Sequence, residues 1–267
     1  MSSWVRYACA ALLTSAVLSS TALATKRIVL YDPDANHEAI LNIALWFDRY
    51  LKSVDPTFEF QAVQGRETFE GLAAAPDTHF ALVSSEYLKR DTHVPLTPLV
   101  VPALGGDVYY FKKLVDLGRG GETSLKGKTI AVTLTGEHGE TPQLHLRALP
   151  HHPDIDTTGA ILISVSKDVD ALLALSFGQV DAALVTPSSI EVVQRINPAM
   201  SKLFRVLSQT APLLRSPFCA TPRAPTAERR QLVDILMRMA ADTNGRRAMQ
   251  VMGFDSWLGF EPGMLEK

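Results

Sequence analysis

Hydroxyl, glycine and histidine side chains gather just beyond short apolar runs in this 267-residue chain. Thr133, Thr135, Gly136 and His138 lie at or just past the end of the run at 129–134, and Thr186 and Ser188 follow the run at 180–185. Ser84 and Ser85 follow residues 80–83, and Tyr31 closes the run at 27–31. Small hydroxyls beside free backbone N–H groups, where a strand gives way to a helix, make an anion site, because a helix N-terminus carries partial positive charge. The same residue types cap helices and shape turns, and Pro187 gives Thr186 and Ser188 a capping role as well. Tyr109 and Tyr110 sit together on one strand, so one faces a ligand and the other the interior. Lys167, just before a helix, adds a cation.

Catalytic constellations are poorer. No Gly-x-Ser-x-Gly elbow, phosphate-binding loop or dinucleotide fingerprint is present. His138 with Glu137 or Glu140 is the one acid–base pairing that an enzyme could use, and Asp32 with Asp34 reads as loop acids. His151 and His152, with His138 and His145 upstream, match no zinc spacing. Cys219 has no basic neighbour closer than Arg215 and Arg223 and reads as a buried, inert thiol. The expectation is a binding protein with no catalytic residue, no metal and no cofactor.

The amino terminus reads as an export signal: Arg6, an apolar stretch over 7–20, and Ala22-Leu23-Ala24 as the cleavage site, so that the mature chain starts at Thr25. The stretch is too short to span a bilayer, which takes about 20 residues. Cleavage would remove Arg6 and no acid, moving the formal charge from −2 to −3. A near-neutral balance offers no footprint for nucleic acid. One remaining cysteine excludes an internal disulfide and suits the bacterial periplasm.

The elements that must position these residues follow from periodicity. Strand, helix and strand alternate over 27–31, 40–51, 58–60, 67–75 and 80–83, the order of a doubly wound lobe. Prolines 95, 98 and 102 and the glycines at 105–106 break that rhythm before a crossing strand at 108–115. Strand 129–134, helix 143–149, strand 160–165, helix 168–177, strand 180–185 and helix 188–196 form a second lobe. Residues 203–207 lead through Pro212 and Pro217 into a return crossing. Thr226 caps a helix carrying Leu232, Ile235, Leu236 and Met239, and a last short helix ends at Gly253. The fold class is α/β, with lobe 1 over 25–107 and 209–267 and lobe 2, inserted, over 108–208.

Two motifs carry a family resemblance. Leu125-Lys126-Gly127-Lys128-Thr129-Ile130-Ala131 and Gly178-Gln179-Val180-Asp181-Ala182-Ala183 resemble the second lobe of periplasmic substrate-binding proteins of phosphate/phosphonate-type ABC transporters. The resemblance implies the type II periplasmic-binding-protein fold, two doubly wound α/β lobes joined by two crossing hinge segments. It implies capture of a small oxyanion-bearing ligand in the interlobe cleft, closure by hinge motion, and delivery to a permease in the inner membrane. The family's Ser/Thr-rich loop corresponds to 133–141, where Glu137 and Glu140 leave room for a zwitterion or a cationic group beside the anion. Its His-Asp pair corresponds to Lys167-Asp168. The expected ligand residues are Tyr31, Ser84, Ser85, Tyr109, Thr133, Thr135, Gly136, His138, Lys167, Thr186 and Ser188, in a periplasmic monomer. A ligand-sensing or redox-enzyme-associated receptor without a transport role is the alternative, ahead of an enzyme on the same fold.

Overall fold

The computed structural model describes residues 25–32, 37–89, 94–118, 124–133, 155–165 and 167–266. The chain opens with β1 (Lys26–Tyr31), whose Ile28, Val29 and Leu30 are buried on both faces. A continuous apolar run of this kind belongs to a parallel strand covered on both sides. Helix α1 (His37–Val54) buries Ile40, Ile43, Phe47, Tyr50 and Leu51 along one stripe. After it come β2 (Phe58–Val63), α2 (Arg66–Ala73), β3 (Thr78–Leu82) and the single-turn α3 (Ser85–Leu88).

The proline-rich stretch, read from sequence as a break, is β4 (Thr97–Ala103). A proline cannot donate to a ladder, yet two are accommodated. Pro98 falls at a register shift against β12 (Phe218–Ala220), and Pro102 lies opposite Trp257 of β13 (Ser256–Gly259). The first sheet runs β13-β4-β12-β3-β1-β2. Strands β1 to β3 are parallel and β12 is antiparallel to both its neighbours.

Helix α1 shares one face of this sheet with α7 (Thr226–Met237) and α8 (Thr243–Met252). Tyr50 Oη donates to the Ile235 carbonyl at 2.7 Å, pinning α1 to α7. Side chains of α2 and α3 cover the other face. Thr226, expected as a cap, is the first helical residue, and Pro225 holds the cap position without a side-chain bond. Gly245 marks a close approach: a Cβ there would stand 2.2 Å from the Met239 carbonyl oxygen.

The crossing strand expected over 108–115 is two strands, β5 (Tyr109–Tyr110) and β6 (Lys113–Asp116), broken at Phe111 and Lys112. Strand β5 pairs with β11 (Leu213–Leu214) in an antiparallel ribbon where the outgoing and returning chains run side by side. The second sheet contains β7 (Thr129–Thr133), β8 (Ile161–Val165), β9 (Ala182–Val185) and β10 (Arg205–Gln209), in the order β10-β6-β9-β7-β8. Helices α4 (Asp168–Ser176), α5 (Pro187–Ile196) and α6 (Pro198–Ser201) accompany it. All of β6 to β10 thus lies between β4 and β12 of the first sheet. The helix expected over 143–149 lies outside the described residues. Among the described residues no helix is long and apolar enough to cross a membrane.

Candidate functional site

Strands β7 and β9 are parallel neighbours, so their carboxyl ends point the same way, and antiparallel β6 starts at that same end. In α/β sheets this is the rim where ligands bind. Five residues from four segments converge there. Lys112, immediately before β6, donates from Nζ to Thr133 Oγ1 at 2.7 Å and to Asp168 Oδ1 at 3.0 Å. Thr133 Oγ1, on the last residue of β7, donates onward to the same carboxylate oxygen at 2.9 Å. The backbone N–H of Thr186, just past β9, donates to Asp168 Oδ2 at 2.7 Å, and Ser189 Oγ reaches that oxygen at 3.5 Å.

The arrangement is nearly dry: both ionic side chains are 10 % exposed. Burial works against ionisation of Asp168, but the Lys112 ammonium and the bonds from Thr186 and Lys112 outweigh it and hold the carboxyl below its usual range. Both carboxylate oxygens are occupied, so Asp168 acts as an anchor for its neighbours. The Thr186 N–H, at the cap position of α5, is likewise occupied by this internal anion. An ammonium has three N–H donors, and the two bonds within the cluster leave Lys112 one for another acceptor.

Lys112 is also fixed through its backbone. Its N–H donates to Thr210 Oγ1 at 3.0 Å, and Thr210 N–H returns a bond to the Lys112 carbonyl at 2.9 Å. Thr210 is buried and belongs to the returning chain. The base of the ammonium stem is therefore set where the two crossing segments meet.

The other expected residues stand as follows. Thr186 Oγ1 shares hydrogen bonds with Ser188 Oγ at 3.2 Å and Ser189 Oγ at 2.9 Å, so the three hydroxyls form one group beside Asp168. Lys167 is exposed at the cap position of α4, outside the Lys112 cluster. On the first sheet, Tyr31 is buried, stacked on Phe69 at 5.1 Å and edge-on to Tyr87 at 5.5 Å. Ser84 caps α3 by accepting from Tyr87 N–H. Ser85 is buried and donates to the Leu214 carbonyl at 3.2 Å, tying the end of β3 to the return crossing. Tyr109 Oη donates to the Met264 carbonyl at 3.2 Å and packs beside the carboxyl-terminal segment. Tyr110 carries the Arg215 guanidinium 5.7 Å above its ring. Thr135, Gly136 and His138 lie outside the described residues, as do His145, His151 and His152.

Sequence reading passed over Lys112. It shares strand parity with buried Leu114, so an inward-pointing lysine was available as a signal, although its partner Asp168 is 56 positions away. Among the described residues no group of His, Cys, Asp and Glu side chains could hold a metal. Cys219 is buried between β3 and β4, and burial pushes its thiol pKa up.

The family model for the periplasmic substrate-binding protein of phosphonate ABC transporters matches residues 57–264. No curated protein matches the chain. Among solved structures, the chain is similar to PhnD1 from Prochlorococcus marinus in complex with methylphosphonate, with a TM-score of 0.62 and 11 % identity over 91 % of this chain and 95 % of that one. It is similar to a binding-protein component of an ABC phosphonate transporter from Pseudomonas aeruginosa, with a TM-score of 0.60 and 11 % identity over 91 % and 83 %. A third is the Xanthomonas citri protein XAC2383 bound to ATP, with a TM-score of 0.61 and 15 % identity over 89 % and 92 %. At these identities the three structures speak to the fold, which is the two-lobed periplasmic-binding type.

Proposed function

The chain belongs to the periplasmic substrate-binding proteins of phosphonate ABC transporters, and from that premise we propose that it binds a small phosphonate- or phosphate-like oxyanion against Lys112. The observation that carries this reading is the Lys112 ammonium at the rim of the second sheet, held by Thr133 and Asp168 with one donor remaining. Ser188 and the Thr186 hydroxyl flank it and supply further donors. Asp168 positions these groups and does not itself receive the anion. Thr133, Thr135, Gly136, His138 and Lys167 on the second lobe, Tyr109 on the crossing ribbon, and Tyr31, Ser84 and Ser85 on the first lobe complete the proposed site. Family membership supports a permease as the partner in the membrane.

We further propose an organisation of the chain. Cleavage after Ala24 releases a monomeric receptor, lobe 1 comprises 25–107 and 209–267, and lobe 2 comprises 108–208. Closure about the two crossing segments buries the ligand and excludes water.

Isothermal titration with methylphosphonate, inorganic phosphate and ethanesulfonate tests the reading. Wild-type protein is expected to bind at least one of these anions, and Lys112→Ala to weaken that binding at least tenfold. Equal affinity in the two proteins would remove Lys112 from the site.

A further inference from the structure

Away from the Lys112 cluster, Arg49, Arg246 and Arg247 gather on the surface between α1 and α8. Two guanidiniums lie against one indole: Cζ of Arg49 is 4.8 Å and Cζ of Arg247 5.6 Å from the Trp46 ring centroid. Two points at those distances from a common centre are at most about 10 Å apart. With Asn244 and Arg246 they line a groove of about 360 Å³, within the range of small-ligand sites.

Arg246 is anchored to its own backbone, donating to the carbonyls of Ala240 and Ala241 at 3.0 and 3.1 Å. Arg49 and Arg247 have no ion pair or hydrogen bond among the described residues; their contact is with the indole. Stacking engages the flat face of a guanidinium and leaves its N–H edge for bidentate contact with an oxyanion. Arg246 and Arg247 follow the amino end of α8, where the carboxylate of the capping Asp242 is engaged with the Gly245 N–H.

We propose that the groove binds a phosphate-type oxyanion, as a second ligand site separate from the Lys112 cluster. Planar bidentate donors and a spacing of about 10 Å or less suit one phosphate or a linked pair of them. The same chemistry is offered by a free phosphate compound or by a lipid headgroup. Exposed Leu41 and Leu45 lie two turns and one turn before Arg49 along α1 and would give the lipid an apolar edge.

The test follows the Trp46 indole N–H resonance of the purified protein, assigned with Trp46→Phe. One arm titrates inorganic pyrophosphate; the other adds vesicles of phosphatidylglycerol, with phosphatidylcholine vesicles as reference. A shift with pyrophosphate, weakened at least tenfold in Arg49→Ala/Arg247→Ala and retained in Lys112→Ala, establishes the site with a free anion as its ligand. A response to phosphatidylglycerol alone, lost in the same double variant, establishes it with a headgroup. Silence in both arms overturns the proposal, and so does a response that the double variant leaves unchanged. Lys112→Ala separates this outcome from that of the cleft reading, since each site is probed with the other's residues altered. Both arginines are at the surface, and amide spectra of the variants confirm that the fold is intact.

Discussion

Lys112 Nζ stands 3.0 Å from Asp168 Oδ1, joining the hinge to the first residue of α4 across 56 positions of sequence. Thr133 bridges the same two groups from the end of β7. The pair thereby does two jobs at once: it gathers the strand ends of the second sheet, and it holds an ammonium with one N–H that the cluster does not use.

Breaking this pair on one side leaves an uncompensated charge in a site that is 10 % exposed. Lys112→Met is expected to destabilise the protein by about 3 kcal/mol, in the range for a severed buried pair. Lys112→Met/Asp168→Asn should recover part of that loss, because the amide oxygen still accepts from Thr186 N–H without a buried charge. Urea unfolding of the wild type, both single variants and the double variant measures the coupling; strictly additive effects would refute it.

Thr210→Val removes the acceptor for Lys112 N–H while keeping side-chain volume. An orphaned buried N–H costs about 1–3 kcal/mol, and the same change loosens the base of the Lys112 stem. Stability and anion affinity should therefore fall together. A loss of stability with full affinity would show that the stem is positioned without this bond.

Acid should weaken the fold through identifiable carboxylates. Burial disfavours ionisation of Asp55, but bonds from Thr57 and Lys26 prevail and bring its pKa from 3.8 down to about 2. A depressed folded pKa gives stability that is complete above the unfolded value and vanishes as pH falls through the folded one. The contribution, on the order of 2 kcal/mol, is lost between about pH 4 and pH 2. Asp168 acts with the same sign. Asp55→Asn should flatten the acid limb of stability against pH and leave the neutral region level; an unchanged limb would place the titration elsewhere.

Two glycines should respond in opposite senses to alanine. At Gly245 the new Cβ meets the Met239 carbonyl oxygen at 2.2 Å and Met239 Cγ at 2.9 Å, so α8 must move, with a loss of about 1–3 kcal/mol. At Gly71, inside α2, nothing lies within 4 Å. Alanine there should stabilise by about 0.5–1 kcal/mol through helix propensity and a less flexible unfolded chain. Melting temperatures that moved the same way in both variants would contradict this.

Local patterns made much of the architecture legible. The apolar runs at 27–31, 129–133 and 182–185 are strands because burial on both faces leaves an uninterrupted hydrophobic signature. The 3.6-residue stripe of α1 was equally plain. Strand β4 was hidden because Pro98 and Pro102 imitate a break, and only pairing with β12 and β13 reveals how they are accommodated. Strands β12 and β13 have three and four residues, too few for a period to register. Thr133, Thr186 and Ser188 were readable as strand-end hydroxyls. Lys112 was not, since its environment is made by Asp168 and by Thr210, 98 positions downstream.

The strand order of the first sheet also has a bearing on when the protein can fold. Strand β12 is the sole bridge between β3 and β4 in that sheet, and β13 completes its edge. Both follow every strand of the second sheet, so a ribosome must finish residues 218–220 before the first sheet can be joined across its middle. Closing so long a loop is entropically slow. A nascent chain with this topology keeps its first sheet in two parts until β12 emerges.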